Sequence, residues 1–227
     1  MGRLALGAHG KTPNQGVQGD MGWSSFEGRE ASSKIEFEDR LRQMDEGRWA
    51  RRVFSYLYMK GIDTKWRKRT RKLRSKYVGN SGEVDQEMTV KKKVKETERN
   101  IWEAGMQTKS ALEMYRLCKT DIDKESFYDN SRGSSLLFEA RTGVLRTKTY
   151  RARYLEVDTV CGACGEEEET AEHLIHYCKG FHPVVAEEDI NITNALGFRD
   201  SEGKIDMGKV EITKKRLSDW WHRSREG

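Results

Sequence analysis

Apolar positions along this chain recur mostly at spacings of three and four, the mark of amphipathic helices. The pattern opens with a weak signal. Residues 1–33 are rich in glycine and polar side chains, and a loop is the plain reading of 1–24, yet Thr12-Pro13 has the form of an N-cap followed by proline at the first helical position. One short helix is expected there, with Gly22-Trp23 as the turn after it. Ser24 and Glu27 fit a capping box. The helix they introduce begins near Ser25 and runs through Ile35, Phe37, Leu41 and Met44. Arg48 to Lys60 carries Trp49, Val53, Phe54, Leu57 and Tyr58 on one face, and that face reads as core. Gly61 ends it, and Asp63 or Thr64 can cap the next helix, whose anchors are Trp66, Leu73 and Tyr77.

A long helix, or two broken near Gly105, is expected from Val84 to Cys118. Its stripe is Val90, Val94, Ile101, Trp102, Leu112 and Tyr115. Cys118 falls on the apolar side and reads as a buried thiol. Ser131 or Ser134 can cap a helix through Leu136, Leu137, Phe138 and Ala140 that ends near Gly143. A short helix follows Thr170, another holds Ile190, Ile192, Ala195 and Leu196, and a last one covers Lys209 to Arg225. Val210, Leu217, Trp220 and Trp221 line its apolar side, and the paired tryptophans read as a docking face, in cis or on a partner. The expected fold is therefore mainly α: a helical array with basic surface helices and a small Cys₃His knuckle. In chain order the segments are 1–78, a connector at 79–83, a helical segment at 84–160, the knuckle at 161–182, and an acidic and polar linker with the final helix at 183–227.

Composition sharpens this picture in one respect. Of 227 residues, hydrophobic and charged types each make up 35%, mean hydropathy is -0.88, and formal net charge is +5. Such a chain has a core that is thin relative to its surface, or leans on a metal or a partner. No apolar run approaches the ~20 residues needed to span a bilayer, and no secretory signal is visible, so a reducing intracellular setting in nucleus and cytoplasm is expected.

The positive charge is concentrated. Lys65 to Lys76 reads KWRKRTRKLRSK, with eight Lys or Arg in twelve residues and no acid. Like charges at i,i+4 oppose one another by roughly 0.2–0.5 kcal/mol per pair, and a polyanion along the helix would relieve that. Arg67, Lys68, Arg69, Arg71, Lys72 and Arg74 are the candidate phosphate contacts; a solvated helix or a nuclear-import signal is the plainer alternative. Lys91 to Lys93 and Lys95 form a second cluster. In Val144 to Tyr154, Arg146, Lys148, Arg151 and Arg153 interleave with Tyr150 and Tyr154. Charge there can meet phosphate and rings can stack on bases, unless the tyrosines pack inward.

The sharpest motif is C-x2-C-x8-H-x4-C, formed by Cys161, Cys164, His173 and Cys178. Thiolate and imidazole are the donors tetrahedral Zn²⁺ prefers, and a Cys₃His set fills one structural site with no position open for chemistry. Cys161-Gly-Ala-Cys164-Gly165 has the form of a zinc-binding turn. Five residues of α-helix from His173 turn through about 500°, away from the starting face. The helix must therefore loosen before Cys178. His176 rivals His173 and His182 is more distant; free thiols are the non-metal alternative. Glu166 to Glu169 read as a solvated loop. No phosphate-binding loop, dinucleotide fingerprint, nucleophile elbow or H-E-x-x-H pair is present, and no catalytic residue is assigned.

A resemblance joins these pieces. Leu6-Gly7-Ala8, Thr12-Pro13, Gly19 to Trp23, Arg48 to Val53, Trp66 to Lys72, Tyr128 to Arg141 and the knuckle occur in an order that resembles the tail following the thumb in non-LTR (LINE-type) retrotransposon reverse transcriptases. The resemblance implies a CCHC zinc finger with Cys161, Cys164, His173 and Cys178 as ligands. It implies nucleic-acid binding, RNA or DNA, in target-primed reverse transcription beside the polymerase body. Fingers, palm and any Y/F-x-D-D motif are absent, so polymerase activity is not expected. A helical protein-interaction module, or a reading-frame remnant, is the alternative.

Overall fold

A computed structural model describes residues 2–79, 89–186 and 190–226. The structure is mainly helical, with no strand among the described residues. The elements are α1 (Gly2–Ala5), α2 (Asn14–Met21), α3 (Phe26–Gln43), α4 (Trp49–Met59), α5 (Lys65–Tyr77) and α6 (Val90–Gln107), then a 3₁₀ turn (Ser110–Leu112). α7 (Glu113–Cys118), α8 (Arg132–Arg141), α9 (Lys148–Ala152), a π-helical turn (His173–Tyr177), α10 (Ile192–Ala195) and α11 (Met207–Glu226) complete the chain. No helix among the described residues is long and apolar enough to cross a membrane.

Two compact units divide the chain differently from the serial segments expected: residues 24–103 form one, and residues 1–23 with 104–227 form the other. In the 24–103 unit, Ser25 rather than Ser24 caps α3, accepting from the Gly28 N–H at 2.9 Å. Ala31, Ile35, Leu73, Tyr77 and Val94 make a small core from α3, α5 and α6. Glu98 is buried against it and accepts from Tyr77 Oη at 2.8 Å and the Ser25 N–H at 2.6 Å. A Cβ at Gly28 would lie 2.6 Å from the Glu98 carboxyl carbon, so a larger residue there would have to displace that buried side chain. Of Asp63 and Thr64, it is Thr64 that caps α5.

α4 departs from the sequence reading. Its stripe is not core: only Phe54 is buried, while Trp49 is 78% exposed and Val53, Tyr56, Tyr58 and Met59 are exposed too. A helical period distinguishes one face from another; it does not say whether anything lies against that face.

In the other unit the N-terminal segment is built in. Pro13 occupies the cap position of α2 and Thr12 makes no side-chain cap, so the helix starts one residue later than the Thr-Pro pair predicts. Gly22, at φ 64°, closes α2. Leu6 and Val17 pack on Phe138 of α8. Ser131, not Ser134, caps α8, whose residues 133–141 are all buried, chiefly against α11. Gly133 allows that approach, since a Cβ would meet the Lys214 carbonyl oxygen at 2.6 Å. The long helical pattern from Val84 breaks after Gln107, two residues past Gly105; residues 84–88, with 80–83 of the connector, lie outside the described residues. Ile101 of its stripe is exposed and Cys118 is half-buried rather than buried.

Sequence reading missed a buried ionic network. Arg141 Nε donates to Asp20 at 3.0 Å, and its other nitrogens reach Glu125 at 3.2 Å and the Leu196 carbonyl at 2.6 Å. Tyr115 and Tyr128 donate to the same Asp20, and Lys119 pairs with Glu125. Every donor lands on an acid or carbonyl, which is the condition for keeping charge away from water. Burial works against the Arg141 charge, but Asp20 and the two tyrosines raise its pKa all the same.

Candidate metal centre

The knuckle is assembled from three local devices. After Cys161 the chain turns through Gly162 and Ala163, and the Gly165 N–H returns to the Cys161 carbonyl at 2.9 Å. Gly165 sits at φ 70°, where a side chain would be strained. The acidic loop then folds back on the incoming chain. A β-bridge joins Val160 to Glu168, the Cys161 N–H meets the Glu167 carbonyl at 2.7 Å, and the Glu169 N–H meets the Thr159 carbonyl at 2.8 Å.

Thr170 Oγ1 accepts from the His173 N–H at 3.0 Å and starts the helical turn. From His173 to Tyr177 that turn is π-helical, and the Cys178 N–H donates to the His173 carbonyl at 2.8 Å. A π-turn pairs residues i and i+5. The x4 spacing, wrong for an α-helix, therefore places His173 and Cys178 side by side.

Cys161, Cys164, His173 and Cys178 offer four ligand atoms, all within 4.8 Å of one another. Cys161 Sγ and Cys178 Sγ are 3.7 Å apart, and Cys164 Sγ is 3.4 Å from His173 Nε2. Tetrahedral bonds of about 2.3 Å to sulfur and about 2.05 Å to nitrogen give edges of about 3.8 and 3.6 Å, so the set fits a single ion. Glu167 Oε2 lies 2.8 Å from His173 Nδ1, which holds the proton there and turns Nε2 to the thiols.

The thiols are tuned apart. Burial raises Cys164, but backbone N–H groups of Glu166 and Glu167, with His173, outweigh it and bring its pKa down to about 7. Burial and the neighbouring thiols push Cys178 up to about 12, against one N–H from Gly180. Cys161 and Cys164 thus oppose ionisation of Cys178, and a bound cation removes that conflict. The Cys₃His group can thus hold a metal ion. His176 takes no part: it is buried, both ring nitrogens lack partners, and burial lowers its pKa. His182 is exposed and outside the set.

Two side chains that fasten the knuckle were not foreseen. Arg216 of α11 is 0% exposed and donates to four carbonyls, those of Leu174, Cys178, Phe181 and Pro183, at 2.7–3.1 Å. The available signal was a cation on the apolar stripe Val210–Leu217–Trp220. Glu169 is the other. It is buried, not a solvated loop residue; its Oε1 accepts from the Lys148 N–H at 2.9 Å and its carbonyl from Thr149 Oγ1 at 2.8 Å.

Those bonds fix α9 beside the knuckle, and Lys148 Nζ adds one to the Val160 carbonyl at 2.7 Å. Arg146, Arg151 and Arg153 are exposed and make no ion pair among the described residues. Tyr150 and Tyr154 meet edge to face at 6.0 Å, with Tyr154 largely exposed. The basic face of α5 differs. Arg69 pairs with Glu30 and Glu27, Arg74 with Asp39 and Glu38, Arg71 with Asp63, and Arg67 donates to the Leu57 and Ile62 carbonyls. The acids of α3 thus relieve much of the repulsion for which a polyanion was expected. Lys68 and Lys72 remain exposed and make no ion pair among the described residues. Both tryptophans dock in cis: Trp220 is 4% exposed, and Trp221 lies under the Arg132 guanidinium at 3.7 Å. No protein-family model, curated protein or solved structure matches the chain.

Proposed function

We propose that the chain is a zinc-dependent, noncatalytic nucleic-acid-binding tail of a non-LTR (LINE-type) retrotransposon reverse transcriptase, acting beside the polymerase body of its parent element. The observation that carries this reading is the attachment of α9 to the Cys₃His group. Glu169 and Val160 of the knuckle hold Lys148, and Arg146, Arg151 and Arg153 stand exposed around that attachment. One structural Zn²⁺ would lock Cys161, Cys164, His173 and Cys178, and the free energy of metal binding would order a segment too small to fold alone. Lys68 and Lys72 add phosphate contacts from α5.

Anisotropy of a labelled structured RNA tests this. Affinity should fall with salt, by a slope of about −0.9 per phosphate neutralised on duplex, and should drop when EDTA removes the metal. Affinity indifferent to both sinks the proposal.

The exposed apolar face of α4 favours a second reading, a protein-interaction module. Its basic run would then serve only for nuclear import. Trp49→Ala abolishing association with the polymerase body, in a chain that binds no RNA, would select it.

A further inference from the structure

A cleft of about 430 Å³ opens between α9, the Cys161–Cys164 turn and α11, all within one unit. We infer that this cleft seats the phosphate of one nucleotide unit of a single strand, held by Lys148, Arg151 and Arg223 beside the packed Trp220 and Phe181 wall. The inference rests on the proposed nucleic-acid role and extends it to α11, which no basic motif marks.

Charge is the first argument. Three cations line the cleft and Glu169 is the single acid among its lining residues. That acid already accepts the Lys148 N–H. Lys148 Nζ meets a carbonyl, Arg223 lies 5.2 Å from the Phe181 ring, and none of the three cations forms an ion pair among the described residues. The cleft is thus built for an anion, and its cations reach it from two separate elements.

The wall is the second argument. Trp220 and Phe181 line the cleft but are only 4% and 1% exposed, so they form a packed wall and ligand contact falls to the cations at its rim. Gly162 adds an open edge, since a Cβ there would meet nothing nearer than Lys148 Nζ at 3.7 Å. The volume lies in the small-ligand range of ~300–1,000 Å³, which suits one nucleotide and not a duplex.

The test uses the full, zinc-loaded chain with two probes, a labelled single-stranded oligouridylate and uridine monophosphate. Arg151→Gln and Arg223→Gln, both at exposed positions, should each weaken oligonucleotide binding and flatten its salt slope by about 0.7, the value for one lost single-strand phosphate contact. Lys215→Gln removes an exposed charge from the same helix outside the cleft and should change neither. Uridine monophosphate should shift the Trp220 indole N–H resonance. Zinc content and circular dichroism confirm that each variant is folded. If the oligonucleotide binds but Arg223→Gln keeps wild-type affinity and slope and the Trp220 resonance stays still, the cleft assignment is overturned while the nucleic-acid role stands. If the monophosphate binds and shifts Trp220 but no oligonucleotide binds, the cleft survives and the accessory-tail reading falls. Polyglutamate binding with a silent monophosphate overturns the assignment in favour of an acidic peptide. Silence with every probe overturns both.

Discussion

At the scale of single residues, the Cys₃His group depends on partners outside it. Glu167 orients His173 from the surface. Glu167→Gln should lower metal affinity by about 10-fold, the lower end of the effect of losing such a partner, in competition with a chromogenic chelator. Cys161→Ser removes a ligand outright and should lower the metal content of the purified chain; equal zinc in both proteins would dismiss the site. Arg216 holds the same segment from behind. Arg216→Met leaves four carbonyls without their donor and should destabilise this unit by about 2–4 kcal/mol, read as a lower melting temperature with zinc present. The Cys₃His group was legible because thiols and imidazole at fixed spacing have few other uses. Glu167 and Arg216 were not, because a carboxylate and a guanidinium look alike in sequence whether they face water or a buried carbonyl.

Among elements, α5 and α4 show what periodicity conveys and what it omits. Both helices form where their patterns predict. The charge of α5 is answered by α3, and the face of α4 is largely uncovered. Arg69 and Lys34 pull the Glu30 pKa from 4.5 down to about 2. A depressed carboxylate means that the unfolded chain binds more protons in that window, so stability rises with pH there. Stability from Glu30 should be complete above pH 4.5 and lost as pH falls towards about 2. Helical ellipticity of wild type and Glu30→Gln, followed in denaturant from neutral pH downwards, should converge at the acid end; parallel curves would refute the pairing. The π-turn is the subtler case. The x4 spacing shows that an α-helix fails between His173 and Cys178, but the remedy depends on the carbonyl of His173 finding the Cys178 N–H.

At the scale of the molecule, residues 1–23 belong to the C-terminal unit because Asp20 lies buried beneath Arg141, Tyr115 and Tyr128. Arg141→Met leaves buried Asp20 with two tyrosine hydroxyls but no cation, while Glu125 keeps Lys119, and should cost about 3–5 kcal/mol, seen as a lower urea midpoint for this unit. The sequence by itself determined the main helices, the neighbourhood of their caps (Ser24, Asp63 or Thr64, Ser131 or Ser134), and the four residues of the Cys₃His group. Each of these is written in spacings of a few residues, where backbone geometry alone links side chain to side chain. Tertiary structure decided which cations are answered by acids, which stripe is covered, and that Asp20 meets Arg141 across 121 positions. It also decided that Lys148, Arg151 and Arg223 share the cleft beside the Cys₃His knuckle. Those outcomes turn on burial and on the partner each charge meets, and neither has a period along the chain.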